Sequence, residues 1–310
     1  MTRVAAVDCG TNSTRLLVAE AGSPLATVER EMRVTRLGAG VDRTGHLDDA
    51  ALARTVDVIA GYHERALALG AQRMRIAATS AIRDAVDRHR FLDAVGERTG
   101  VAAEVLTGDA EAATAFAGAT RSVDGAPPYL VLDIGGGSTE LITGTEGPEA
   151  LASHQIGCVR LTERCLAGDP PTEQELAGAR AVAREELGAA IARTQAATAR
   201  TVIGVAGTVT TLAALHLGLP FYDAGRIHGT RLPRAAVDEL TDALARQPAA
   251  ARAELGPMAP GREDVIVGGA IVLREAMALL EADEVLVSEA DILDGLALAL
   301  LDAAGRDQVG

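Results

Sequence analysis

The chain contains no lysine: all 29 basic residues among its 310 are arginine. A Walker-type phosphate loop needs a lysine to reach the outer phosphates of a nucleotide, so that class of hydrolase is excluded. Tryptophan is also absent, and three Phe with three Tyr make up the whole aromatic complement. The core must then be built from small and branched aliphatics, and a single-strand nucleic-acid binder that stacks bases on aromatic rings is disfavoured. The three cysteines, Cys9, Cys158 and Cys165, have no Cys-x-x-Cys spacing and are odd in number. Neither a zinc site nor a disulfide framework is expected from them, and as reduced thiols they point to the cytoplasm. No apolar run reaches the ~18 residues that a membrane helix needs, and Asp8 interrupts the first apolar run too early for a signal peptide. Positive charge is scarce as well. A net charge of −14 repels polyanions at long range unless cationic groups are focused locally.

What the chain does have is the composition of an ordinary globule, 48% hydrophobic and 23% charged, at a length that suits two α/β domains. Its most informative stretch is Tyr129 to Gly144, an apolar run ending in Asp133, then Gly135, Gly136 and Gly137, then Ser-Thr-Glu and a second apolar run. Such a run reads as a buried strand whose last residue emerges at the sheet edge. The glycines allow a tight reversal that offers bare N–H groups to an anion. Val4 to Glu20 repeats the pattern at an offset of 125 residues, with Asp8 matching Asp133, Gly10 matching Gly135, Ser13 matching Ser138 and Thr14 matching Thr139. Two copies of one phosphate hairpin imply two related domains. They differ at one informative position, where Arg15 in the first copy faces Glu140 in the second. A guanidinium suits phosphate oxygens, whereas Asp133 and Glu140 supply hard oxygen ligands for a divalent cation.

Around the hairpins the first domain, residues 1–125, reads βββαβαβα. A Gly-Ala-Pro-Pro boundary precedes the second, residues 126–310. That domain opens with three strands again and continues with helices at 159–166 and 173–197. A strand at 201–206 follows, then a turn at GTVTT, a short helix at 210–217 and an irregular loop over 218–231. Later helices are expected at 233–246 and 265–281, with a strand at 284–288. A last helix, about 291–303, is long enough to pack back on the first domain.

Together DCGTNSTR, TSAIRDA, TGDAEAA, DIGGGSTE, GCVRLTE and GVAGT resemble the exopolyphosphatase and guanosine pentaphosphate phosphohydrolase (Ppx/GppA) family, in order and over essentially the whole chain. The resemblance implies two ribonuclease-H-like domains of the actin, Hsp70 and sugar-kinase superfamily around a central cleft, in the short form without a C-terminal helical domain. It implies that Glu111, in Gly108-Asp109-Ala110-Glu111-Ala112, is the catalytic carboxylate, although Ala110 replaces the first glutamate of that pattern. Asp133, Glu140 and Asp8 become the metal acids, for Mg²⁺ or Mn²⁺. Asn12, Ser13, Thr14, Arg15 and Arg83, with Gly135, Gly136, Gly137 and Ser138, become the phosphate-binding set. The implied activity is hydrolysis of terminal phosphoanhydrides of inorganic polyphosphate, short chains in particular. Guanosine pentaphosphate is the alternative substrate, and a superfamily kinase or a non-catalytic phosphate sensor are more distant readings. A homodimer with no specific nucleic-acid or membrane partner is expected.

Overall fold

The computed structural model describes residues 2–22 and 25–307. The chain begins with strands β1 (Arg3–Cys9), β2 (Ser13–Glu20) and β3 (Ala26–Val34). Helices α1 (Val41–Thr44) and α2 (Asp49–Ala68), strand β4 (Arg73–Ala78), helices α3 (Ser80–Asp84) and α4 (His89–Thr99), strand β5 (Ala103–Val105) and helix α5 (Gly108–Thr120) follow. Strands β6 (Tyr129–Ile134), β7 (Thr139–Gly144) and β8 (Pro148–His154) lead to helices α6 (Cys158–Cys165) and α7 (Glu173–Thr194). Next come β9 (Thr201–Val205), α8 (Ala206–His216), α9 (Ala224–Ile227), β10 (Arg231–Pro233), α10 (Arg234–Ala245), α11 (Ala249–Ala253) and α12 (Ile266–Leu279). Strand β11 (Glu284–Val287) and helix α13 (Ile292–Asp307) come last among the described residues.

The residues fall into two compact units. One holds everything up to Arg121 together with the chain from Asp291 onward, and the other runs from Ser122 to Ala290. The first boundary thus lies a few residues before 125, and the segment from 291, counted by sequence with the second domain, belongs to the first unit. Packing explains this: Leu293, Leu296 and Ala297 of α13 are fully buried, and the helix lies against α5 and the strands β1, β2 and β4. The two helices touch through glycines, since a Cβ on Gly118 would overlap the Asp291 carbonyl and one on Gly295 would overlap that of Thr114. Only residues without side chains let the two backbones approach this closely.

In the first unit the sheet order is β3-β2-β1-β4-β5, with the first three strands antiparallel to one another and β4 and β5 parallel to β1. The second unit has the order β10-β11-β9-β6-β7-β8, again an antiparallel trio followed by parallel additions, with β10 as an extra antiparallel edge. Each sheet is therefore the same ribonuclease-H-like arrangement, and the sequence repeat is a structural repeat. Aliphatics fill both cores, as the aromatic shortage required; Phe91 and Phe116 are the largest fully buried side chains.

Several local expectations need correction. GTVTT is not a turn after β9: α8 starts at Ala206 itself, at φ 66° directly after the strand, so the segment is the first turn of a helix. The expected loop over 218–231 contains α9, whose N-terminus is capped by Asp223 accepting from the Gly225 and Arg226 amides. The single helix expected between the fourth and fifth strands is two: α3 lies within TSAIRDA and α4 follows it.

Candidate active site

Both hairpins close with the same bond: the Gly10 amide donates to the Ser13 carbonyl, and the Gly135 amide to the Ser138 carbonyl, each at 3.0 Å. In each, the strand-end aspartate lies directly across the ladder from the divergent residue, Asp8 opposite Arg15 and Asp133 opposite Glu140. The sequence offset therefore reports true register.

In the second hairpin the turn carbonyls are taken by the start of α6. Cys158 donates to the Gly135 carbonyl at 2.9 Å, and Val159 and Arg160 donate to the Gly136 carbonyl at 2.9 and 3.2 Å. A planar trans peptide points its N–H opposite to its C=O, so the amides of Gly136 and Gly137 are directed away from α6, side by side. Two parallel N–H groups on a glycine turn are an anion-binding concavity. Gly157 makes the docking possible, because a Cβ there would fall 2.5 Å from the Gly136 carbonyl oxygen. The first hairpin achieves the same by another route: Gly38 donates to the Thr11 carbonyl at 2.9 Å, and Thr35 and Arg36 donate to that of Asn12 at 3.0 and 2.9 Å. The amides of Asn12 and Ser13 are turned outward by the same geometry.

Side chains then separate the two. Arg15 donates to Asp8 Oδ2 from Nε at 3.1 Å and from Nη2 at 2.7 Å, and its Nη1 pairs with Asp291. Burial raises the Asp8 carboxyl above its ordinary range; the Arg15 charge and hydrogen bond oppose the shift, and the Asp291 charge adds to it. Asp8 Oδ1 is buried with no hydrogen-bond partner. In the second unit, Asp133 and Glu140 are both buried, and Glu140 Oε1 accepts a 2.7 Å hydrogen bond from Ser153 on the neighbouring strand. Ser153 is the ladder partner of Glu140.

Glu111 sits in the first turn of α5, which Thr107 caps by accepting from the Ala110 amide at 3.2 Å. It is 92% buried, and its Oε2 accepts from Arg83 Nη1 at 2.7 Å. The same Nη1 reaches the Leu106 carbonyl at 3.1 Å, so α3 and the loop before α5 fix the carboxylate between them. An acid early in a helix is also favoured by the helix dipole, but burial against a guanidinium is more than that placement requires.

The sequence-derived set thus divides. Gly135, Gly136, Gly137, Asp133 and Glu140 share one hairpin, with Ser138 buried at its bend. Asn12, Ser13, Arg15 and Asp8 share the other. Glu111 and Arg83 form an ion pair in the first unit. Thr14 needs correction as a phosphate ligand: it is fully buried, and its hydroxyl bonds that of Thr35 at 2.9 Å inside the sheet. Asp8, grouped with the metal acids from sequence, is here the ion-pair partner of Arg15, and the adjacent guanidinium works against a divalent ion at that carboxylate. Among the described residues, no group of three or more His, Cys, Asp or Glu is gathered as a metal cage. A pair of carboxylates is nevertheless what Mg²⁺ ordinarily takes, completing its shell with water and substrate oxygens.

Residues that sequence reasoning missed are Asp291, Asp294, Arg30 and Ser153. Arg30 binds both carboxylate oxygens of Asp294, at 2.8 and 2.7 Å, and lies 3.9 Å from Asp291. The acids of this network stand at the start of α13, where Asp reads simply as a helix-start residue. Ser153 was reachable by counting across the β7–β8 ladder.

A model of the Ppx/GppA phosphatase family matches residues 17–304. The chain belongs to the Ppx/GppA phosphatase family. It is 48% identical over 315 residues to exopolyphosphatase 2 of Mycobacterium tuberculosis, covering 97% of this chain and 99% of that one. Its fold matches the crystal structure of an exopolyphosphatase-like protein with a TM-score of 0.92 and 38% identity, over 96% of this chain and 98% of the other. A family member from Aquifex aeolicus matches with a TM-score of 0.81 and 29% identity, over 97% and 98% of the two chains. Family membership makes the chain a phosphatase-type hydrolase. Among the described residues, no helix is long and apolar enough to cross a membrane.

Proposed function

We propose that the protein is an exopolyphosphatase that releases orthophosphate from the ends of short inorganic polyphosphate chains. The observation that carries the reading is the second hairpin, where two acids face each other across the ladder beneath a turn that aims two glycine amides outward. Anion donors and a carboxylate pair on one hairpin fit a substrate that arrives with a divalent metal. The full-length similarity to exopolyphosphatase 2 of Mycobacterium tuberculosis supports the same substrate class.

Phosphoryl transfer asks the protein for positioning and charge stabilisation rather than covalent chemistry. Glu111 is the base that takes a proton from the attacking water, and the Arg83 bond to its Oε2 orients the carboxylate. The Gly136 and Gly137 amides, the outward amides of Asn12 and Ser13, and Arg15 bind phosphate oxygens. Asp133 and Glu140 would hold Mg²⁺, with Mn²⁺ as a substitute. That ion neutralises charge on the terminal phosphate when bound. The free thiols Cys9, Cys158 and Cys165 suit the cytoplasm, and we further propose a homodimer, to be checked by the molecular mass in solution.

The test is a substrate panel: short polyphosphate, long polyphosphate and guanosine pentaphosphate, each with Mg²⁺ and with a chelator, and ADP as an alternative acceptor. Metal-dependent orthophosphate release fastest on short polyphosphate is expected. Preference for the guanosine nucleotide reassigns the substrate, and ATP formation from ADP overturns hydrolysis.

A further inference from the structure

The Arg15 guanidinium is held on two sides by acids from distant parts of the chain. Asp8 on β1 takes Nε and Nη2, and Asp291, at the start of α13, takes Nη1. Asp291 is itself immobilised. Its Oδ1 accepts from the Leu293 amide at 3.0 Å, its amide donates to Asp294 Oδ2 at 2.9 Å, and its carbonyl accepts from the Gly295 amide at 3.1 Å. Its backbone is pressed so closely on α5 that Gly118 cannot carry a Cβ. Asp294 in turn is fixed by Arg30 from β3. The acid reaching Arg15 therefore stands on a rigid helix start, and 97% of the residue is buried.

A long side chain with several rotatable bonds loses entropy when it grips a ligand, and a framework that fixes it beforehand removes that loss. We propose that Asp291 is a positioning residue for Arg15, so that the last helix of the chain sets the aim of the guanidinium at substrate phosphate. This rests on the reading that Arg15 binds phosphate. Asp294 belongs to the same network but bonds Arg30 and the Asp291 amide rather than Arg15, so it separates aiming from mere support of the helix. The opposite role, in which Asp291 competes with phosphate for the guanidinium, predicts the opposite sign and is decided by the same measurement.

The experiment uses the full chain with inorganic tripolyphosphate and Mg²⁺, measuring kcat and KM for Asp291→Asn, Asp294→Asn, Arg15→Ala and the double variant Arg15→Ala with Asp291→Asn. Asparagine keeps an oxygen for the Leu293 amide while deleting the carboxylate that faces Arg15. Asp291→Asn is expected to raise KM about 10- to 100-fold with a much smaller change in kcat, as misplacement of a binding group does. Asp294→Asn, which keeps an oxygen for the Asp291 amide, is expected to raise KM clearly less than Asp291→Asn does, and the double variant to be no worse than Arg15→Ala alone. An unchanged or lowered KM in Asp291→Asn, an equal rise in Asp294→Asn, or additive losses in the double variant each overturn the proposal. A normal KM in Arg15→Ala instead removes Arg15 from phosphate binding, and the positioning role falls with it. Should Asp291→Asn fail to fold, Asp291→Glu replaces it: charge is kept and the carboxylate displaced, so KM must still rise, and a normal KM again overturns the idea.

Discussion

The two hairpins share backbone, register and closing hydrogen bond, yet they are electrically different objects. In the first, the residue across from the strand-end acid is an arginine, and the pair Asp8–Arg15 is extended through Asp291, Arg30 and Asp294 into a partly buried network. In the second, the corresponding pair is Asp133 and Glu140, with Ser153 donating to the latter. The same turn thus carries a cationic side chain across from its acid in one copy and a second acid in the other, and it is the second arrangement that the proposed function makes a place for a metal ion. Two carboxylates on one hairpin are the oxygen donors that a divalent ion takes, whereas a guanidinium already stands against the acid of the other, which is the physical reason to expect an ion at the second hairpin and none at the first.

The harshest test of that contrast is to erase it. Glu140→Arg turns the second hairpin into a copy of the first, and Asp133→Asn removes the acid it would then pair with. Either change is expected to lower the rate of metal-dependent phosphate release by about 10³-fold or more, as loss of a metal-supporting group does where the metal carries the charge stabilisation. Asp8→Asn, at the equivalent place in the first hairpin, is expected to fall far less in the same assay. Equal losses at the two aspartates would erase the asymmetry between the hairpins.

Glu111→Gln comes next. It keeps the shape of the side chain while removing its basicity, so kcat should fall about 10²- to 10⁴-fold, with KM for polyphosphate nearly unchanged. A rise in KM with kcat intact would make the Arg83–Glu111 pair a binding element of the first unit instead of the base and its support.

Much of this arrangement was legible in the sequence because it is local. Strand, tight turn and strand are written in consecutive residues, so the 125-residue repeat gave both hairpins and the divergence of Arg15 from Glu140, while the pairing of Asp8 with Arg15 across the ladder shows only in the structure. The division of strands and helices followed from periodicity in the same way. What escaped depends on contacts between distant segments. Nothing near Asp291 says that it meets Arg15, since that contact exists only because α13 returns to the first unit through the Gly118 and Gly295 crossing. The inward direction of the Thr14 hydroxyl is likewise set by Thr35, just past the end of the neighbouring strand, not by the motif in which Thr14 stands. Helix α8 was misplaced because its first residue takes a positive φ without being glycine, a geometry that no local propensity announces.

A milder change sharpens the account of the second hairpin. Ser153→Ala deletes the hydroxyl that donates to Glu140 Oε1, leaving the acid in place but less firmly oriented. Partners of a metal-binding carboxylate are typically worth about 10- to 100-fold in metal affinity. The Mg²⁺ concentration for half-maximal activity should therefore rise by that order, while the rate at saturating metal stays close to that of the parent. A lowered rate that no amount of Mg²⁺ restores would mean that Ser153 serves the strand and not the metal.

The smallest effect concerns the first hairpin alone and is read from stability rather than turnover. Asp8 has its carboxyl raised above the ordinary value of 3.8, chiefly by burial and against the pull of Arg15. A folded-state value above the unfolded one means that the native protein binds the proton more tightly, so Asp8 favours folding most below its unfolded value. That contribution is lost as pH rises through the folded-state value. Asp8→Asn cannot titrate, so the stability of the parent relative to this variant should decline with rising pH over that window and then level off. Urea unfolding of both proteins across an acid pH series measures the difference directly. A difference that instead grows with pH would mean that Arg15 outweighs burial, and that the first hairpin is held by its ion pair rather than merely tolerating it.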